Sequence, residues 1–169
     1  MRNPLPTLAR VLGTRPWVMR RSGVIVRADR VLHRIFRGRV SLVGLAGLPS
    51  VHLTTLGRRS GAPRGTNLLS LPDGDGYVVV GSNWGRRRDP GWTFNLRAHP
   101  EATVTVAGRE IPVRARELHG AEYRRMWRRL LAYWPGYGME RETAGRDLPI
   151  FVLTRSAGAA PVSRGDRAG

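Results

Sequence analysis

Four short segments carry side chains suited to chemistry. The first, Gly57-Arg58-Arg59-Ser60-Gly61-Ala62-Pro63-Arg64, sets three arginines and a serine around two glycines. Glycine permits a tight bend that turns backbone N–H groups outward, and guanidinium forks match phosphate or carboxylate oxygens. The segment reads as an anion-binding turn or as a solvated basic hairpin turn. The second, Ser82-Asn83-Trp84-Gly85, can hydrogen-bond the edge of a flat ring or simply turn the chain. The third, Asp89 to Leu96, offers Trp92 for stacking on a planar ligand. Trp92 and Leu96 are also four apart, as on the core face of a short helix. The fourth is Tyr133-Trp134-Pro135-Gly136-Tyr137, a glycine-containing aromatic loop whose Tyr137 can donate a hydrogen bond or a proton.

Other chemistries lack their residues. The chain has no cysteine, which excludes thiol nucleophiles, disulfides and iron–sulfur clusters. Its four histidines are scattered without metal-ligand spacing. No Ser–His–Asp order or carboxylate pair stands out for hydrolysis. No G-x-G-x-x-G follows a strand, so neither a Rossmann fold nor a P-loop is expected.

The elements that must position these segments follow from periodicity. Val51–Leu56 and Arg64–Leu71 alternate with period two around the arginine turn and read as a hairpin. Pro72 to Gly76 is a turn, and Tyr77 to Gly81 is an apolar run that reads as a buried strand. Ser82–Pro90 is a loop and Gly91–Ala98 a short helix. Ala102–Val106 and Glu110–Leu118 form a second hairpin about Ala107-Gly108. Residues 121–133 have helical spacing, with Tyr123, Met126, Trp127, Leu130 and Leu131 on one side. Trp134–Gly145 reads as a loop and Ile150–Thr154 as the last strand. Six strands in hairpins with peripheral helices predict a mainly β (α+β) domain, a small antiparallel barrel or sheet over residues 50–155. Residues 156–169 read as a disordered tail.

The 169 residues carry a net charge of +17, and all 29 basic residues are arginine. Residues 1–50 alone hold ten arginines against Asp29. Such a balance calls for an anionic partner. Within this basic extension (residues 1–49), Val24, Ala28, Val31, Leu32, Ile35 and Phe36 recur at helical spacing among Arg27, Arg30, Arg34 and Arg37. That amphipathic helix can pack on the domain or lie on anionic lipid. Arg20-Arg21 precedes an apolar stretch interrupted by Arg27 and Asp29, too soon for an export signal. The longest apolar run, Val40 to Leu48, is too short to span a bilayer. A cytoplasmic protein is expected, with peripheral contact at the inner face of the membrane as the option the helix opens. A basic nucleic-acid-binding module fits the charge, yet the sequence carries no helix-turn-helix, RRM or zinc-finger signature.

The ordered series TTLGRRSGAPRGTNLL, YVVVGSNWG, DPGWTFNL, HPEATVTVAGREIPVRAR, YWPGY and LPIFVL resembles the deazaflavin-dependent nitroreductase family over residues 50–154. The resemblance implies a split β-barrel similar to the flavin-binding barrels of pyridoxamine-phosphate oxidases. It implies coenzyme F420 as cofactor and hydride transfer from its reduced form to a quinone, nitroaromatic or other electron-poor acceptor. FMN or haem in the same barrel is the alternative, and a homodimer is compatible. By that resemblance Arg58, Arg59, Ser60, Gly61 and Arg64 would hold the cofactor's phosphate or oligoglutamate tail. Ser82 and Asn83 would approach the ring and the acceptor, Ser82 joining Tyr137 in catalysis. Gly91 and Trp92 sit where the family contacts cofactor, and Tyr137 matches a tyrosine that orients or protonates the acceptor. The chain departs from the family at Trp84, often glycine, at Trp134, often tyrosine, and at Glu140, which can be aromatic. Ala144-Gly145-Arg146 stands where the family reads Thr-Asp-Arg. These departures bear on the acceptor.

Overall fold

The computed structural model describes residues 49–156. The basic helix expected over residues 24–38 and nearly all of the expected tail lie outside the described residues. Six antiparallel strands run β1 (Ser50–Leu56), β2 (Pro63–Asp73), β3 (Gly76–Val80), β4 (Glu101–Val106), β5 (Arg109–Glu117) and β6 (Ile150–Arg155). They close in the order β1-β2-β3-β6-β5-β4. Closure leaves no strand edge unpaired around the ring. Three helices accompany the barrel: α1 (Gly91–Ala98), α2 (Gly120–Tyr133) and α3 (Gly136–Ala144).

The strands carry two cores because some of them are covered on both sides. Val51, Leu53, Val79, Val104, Val113, Phe151 and Leu153 point into the barrel, where α1 adds Trp92 and Leu96. Val78, Val80 and Ile150 point outward beneath α2 and α3, against Met126, Trp127, Leu130, Tyr137 and Leu148. Successive residues of a strand face opposite ways, so β3 must be apolar throughout, which is why it reads as Tyr-Val-Val-Val.

Two elements differ from the sequence reading by more than one residue at an end. β2 continues through Pro72 to Asp73, paired with Tyr77 and Gly76, and the turn shrinks to Gly74-Asp75. Gly74 adopts φ +54°, as two-residue hairpin loops require. Residues 136–144, read as part of a loop, form α3 instead. Its buried residues Tyr137, Glu140 and Ala144 follow helical spacing, and glycine content disguised it. Gly145 closes it with φ 63°, its N–H donating to the carbonyls of Arg141 and Glu142.

β3 and β6 pass so close at Gly76 that an added Cβ would collide with the Leu153 carbonyl oxygen. Backbone cannot yield there as a flexible side chain would. Gly76→Ala is therefore expected to cost about 2 kcal/mol or more in chemical denaturation. An unchanged midpoint would show that the β3–β6 pairing relaxes freely.

Candidate functional site

Two loops meet at α1. The first is the arginine turn between β1 and β2. Its backbone closes on itself: Gly57 N–H donates to Ala62 O at 2.8 Å, and Ser60 and Gly61 N–H donate to Gly57 O at 3.1 and 2.7 Å. Ala62 N–H donates to Ser60 Oγ at 3.3 Å. Arg58 N–H donates to Asn95 Oδ1 at 3.1 Å. The outward amide cradle expected from the two glycines is thus largely consumed within the turn, which leaves the side chains as its outward polar groups. Arg58, Arg59 and Arg64 are exposed and make no ion pair among the described residues. The Arg58 guanidinium lies over the Phe94 ring, 4.9 Å from its centroid. Gly61 adopts φ +64°, with open space where a Cβ would stand.

Asn95 was missed by the sequence reading, and it anchors this turn. Its buried side chain also donates to Thr55 Oγ1 at 3.1 Å. One amide therefore joins the end of β1, the turn and α1. A polar residue beside Trp92 and Leu96 on the buried side of the short helix was the signal for it.

The second loop follows β3. Asn83, Trp84 and Gly85 take φ of 50°, 57° and 72° in succession. Left-handed backbone costs roughly 1–2 kcal/mol per non-glycine residue, so the surroundings must hold it. Asn83 Nδ2 donates to Arg88 O at 2.8 Å. Arg146 does the rest, donating to the carbonyls of Gly81 at 3.1 Å, Arg86 at 3.2 Å and Arg88 at 3.3 Å. It also pairs with Asp89 at 2.7 Å, with only 17–18% of either side chain exposed. Asp89 in turn pairs with Arg97 at 3.1 Å, and Arg97 reaches Glu117 on β5 at 2.6 Å. The bond to Glu117 and then that to Asp89 hold the Arg97 guanidinium charged above its ordinary range, against the opposing effect of burial.

Behind this loop lies α3, packed on the Asn83–Gly85 turn. Ser82 is half-buried and hydrogen-bonds the carboxyl of Glu140, which also bonds the indole of Trp134. Glu140 is only 8% exposed. Burial raises its carboxyl above the ordinary carboxylate range, and the two hydrogen bonds pull it partly back. One turn earlier, Tyr137 is buried in the outer cluster, without a hydrogen bond for its hydroxyl among the described residues. Burial, then Glu140, then Tyr133 push its phenol well above the usual tyrosine value.

The site residues chosen from the sequence are thus distributed unevenly. Ser82 and the helix of Tyr137 come together through Glu140. Arg58 meets α1 through Asn95 and Phe94, and Gly91 begins that helix about 6 Å along the axis from Asn95. Trp92 departs from the stacking reading. Its indole is in the barrel core, edge-on to Phe151 at 5.5 Å, so only its backbone remains for a ligand. A cavity of about 500 Å³ opens beside Asp89, Arg97, Glu117, His119, Tyr123 and Arg141, and none of the sequence-chosen residues lines it. Among the described residues no group of His, Asp or Glu is arranged to hold a metal.

Arg146→Ala removes four loop carbonyl contacts, to Gly81, Ser82, Arg86 and Arg88, and leaves Asp89 short of a partner. It is expected to lower stability by about 2–3 kcal/mol in denaturant titration. Arg146→Lys should recover only part of this, because a point donor cannot span several carbonyls.

Comparison with known proteins gives this arrangement its context. The sequence pattern of the F420H(2)-dependent quinone reductase family matches residues 25–155. An F420H(2)-dependent quinone reductase of Mycobacterium tuberculosis is 32% identical over 143 residues, covering 82% of this chain and 96% of that protein. The solved F420-H2 dependent reductase FDR-A aligns with TM-score 0.57 at 31% identity, covering 62% of this chain and 93% of that one. A solved domain-swapped dimer aligns with TM-score 0.59 at 28% identity, covering 78% and 97% respectively. The barrel is the split-barrel fold that the motifs implied, and the chain belongs to the F420H(2)-dependent quinone reductase family.

Proposed function

We propose that this chain binds reduced F420 along the two loops that meet at α1 and passes its reducing equivalents to a quinone. Family membership across the whole barrel carries this reading and favours F420 over FMN, haem or nucleic acid. Reduced F420 supplies a hydride from C5. The protein supplies orientation, charge complementarity and exclusion of water.

The residues fit such a group. F420 bears a phosphate and several carboxylates, and Arg58, Arg59 and Arg64 are exposed guanidiniums without acidic partners among the described residues. Ser60 keeps its hydroxyl proton for the ligand, since its oxygen already accepts from Ala62 N–H. Gly91 leaves open space at the start of α1, where a Cβ would meet nothing among the described residues within 4 Å. Ser82 and Asn83 of the strained loop would hold the ring edge by hydrogen bonds, and Trp92 would offer only its backbone, since its indole is in the core. Tyr137 stays protonated through neutral pH, so its role is that of a donor to the acceptor oxygen and not of a base. Its buried hydroxyl has no hydrogen-bond partner among the described residues and is a group that a ligand would satisfy.

Quinone acceptors are lipid-soluble, and residues 1–50 are strongly basic. Together these support contact of the cytoplasmic enzyme with anionic membrane. No helix among the described residues is long and apolar enough to cross a bilayer. The likeness to a domain-swapped dimer supports a homodimer. Nitroaromatics remain secondary acceptors by chemical analogy with electron-poor quinones.

Fluorescence titration with F420 and with FMN in parallel tests the cofactor. Tight F420 and weak FMN binding are expected, and preference for FMN would overturn the reading. Arg58→Ala should weaken F420 binding by about 1–3 kcal/mol, with a shallower salt dependence. Gly91→Leu should leave the melting temperature intact or raised, because helix propensity improves and its Cβ meets none of the described residues. It should nonetheless block F420. Normal affinity in that variant would move the cofactor away from α1.

A further inference from the structure

Glu140 is the buried titratable group that the reading above leaves without a role. Its carboxyl has two neighbours of different chemistry. The Trp134 indole can only donate, so it occupies a carboxyl lone pair whatever the protonation state. The Ser82 hydroxyl can donate or accept, so it alone can reverse its role. No arginine among the described residues neutralises the carboxyl. Arg141, its neighbour on α3, is committed to Asp147 at 2.5 Å, and Arg146 is committed to Asp89 and the loop carbonyls. On the loop, Arg86, Arg87 and Arg88 are exposed, and Asp89 is held by Arg97 and Arg146. The titratable groups facing Glu140 are Tyr137 on its own helix and, beyond it, Tyr133 of α2.

We propose that Glu140 is a positioning residue that sets the hydrogen-bond polarity of Ser82, and through Ser82 the affinity for a ligand carbonyl. When Glu140 is ionised, the serine O–H turns inward to the carboxylate and presents only lone pairs to the ligand. When Glu140 is protonated, its O–H donates to Ser82 Oγ and the serine proton is free to bond a carbonyl oxygen of cofactor or acceptor. No covalent bond changes. A single proton, exchanged with solvent, selects between the two arrangements. Burial supports the switch, because it favours the neutral carboxyl and brings the exchange toward physiological pH. The proposal rests on the F420 reading for the identity of the ligand.

Glu140→Gln imitates the protonated state permanently: its carbonyl accepts from Trp134 and its NH2 donates to Ser82 Oγ. The test compares F420 dissociation constants of wild type, Glu140→Gln, Ser82→Ala and the double variant from mildly acid to mildly alkaline pH. The ratio of wild type to Glu140→Gln cancels any titration of F420 itself. It is expected to be near one at acid pH and to rise to roughly three- to tenfold weaker wild-type binding at alkaline pH. In the Ser82→Ala background the ratio should be flat. A flat ratio with Ser82 present overturns the proposal, as does an equal rise in its absence. Isotope-edited infrared titration of the cofactor-free protein provides the independent reading. Ser82→Ala, which removes a donor to the ionised form, should move the Glu140 titration upward, and an unmoved titration overturns the pairing. Wild type that fails to bind F420 overturns the function reading alone, and the infrared result still decides the role of Glu140.

Discussion

Three consecutive residues with positive φ turn the carbonyl groups around Asn83-Trp84-Gly85 away from any regular ladder, and one guanidinium answers them. Arg146 reaches the carbonyls of Gly81, Arg86 and Arg88 while pairing with Asp89. Without it the loop between β3 and α1 would carry strain and unpaired acceptors together. Because α1 follows that loop directly, its first turn inherits whatever position the loop takes. Asn95 then passes the position on to the arginine turn. The two halves of the candidate site are thereby tied to one network, Glu117–Arg97–Asp89–Arg146, that runs from β5 to the segment before β6.

The arginines divide by the company they keep. Arg97 and Arg146 are partly buried and held by carboxylates, where paired charge is worth most. Arg114, Arg116 and Arg129 make exposed pairs with Glu101, Glu122 and Asp73, which contribute little in water. Arg58, Arg59 and Arg64 have no acid among the described residues. A single residue type thus serves as a structural clamp, a paired surface charge and an exposed cation without an acid among the described residues, and only the neighbours distinguish these settings. The net charge of +17 is a statement about partners, not about the fold.

At the back of the site, the resemblance marks Glu140 as a departure from the family. Glu140 replaces a position that can be aromatic, and a buried carboxyl there introduces a titratable group between Ser82, Trp134 and Tyr137. Burial pushes the carboxyl and the phenol in the same direction, toward their neutral forms.

Local pattern was enough for the barrel strands. Alternation in Val51–Leu56, the Asp73–Gly76 hairpin, the doubly apolar β3 and the stripe of α2 are written in neighbouring residues, and the ordered motifs carried the family and its cofactor. Tertiary structure alone decided where side chains end. Trp92 entered the core because α1 closes one end of the barrel, and the amides of the arginine turn were consumed by its own closure. α3 was hidden because its glycines weaken helical propensity, and burial of Tyr137, Glu140 and Ala144 overrides that weakness. What Asn95 and Arg146 bind was invisible for a further reason. Their partners lie 37 and 65 positions away in the chain, and no local periodicity records a hydrogen bond that exists only once the strands have closed.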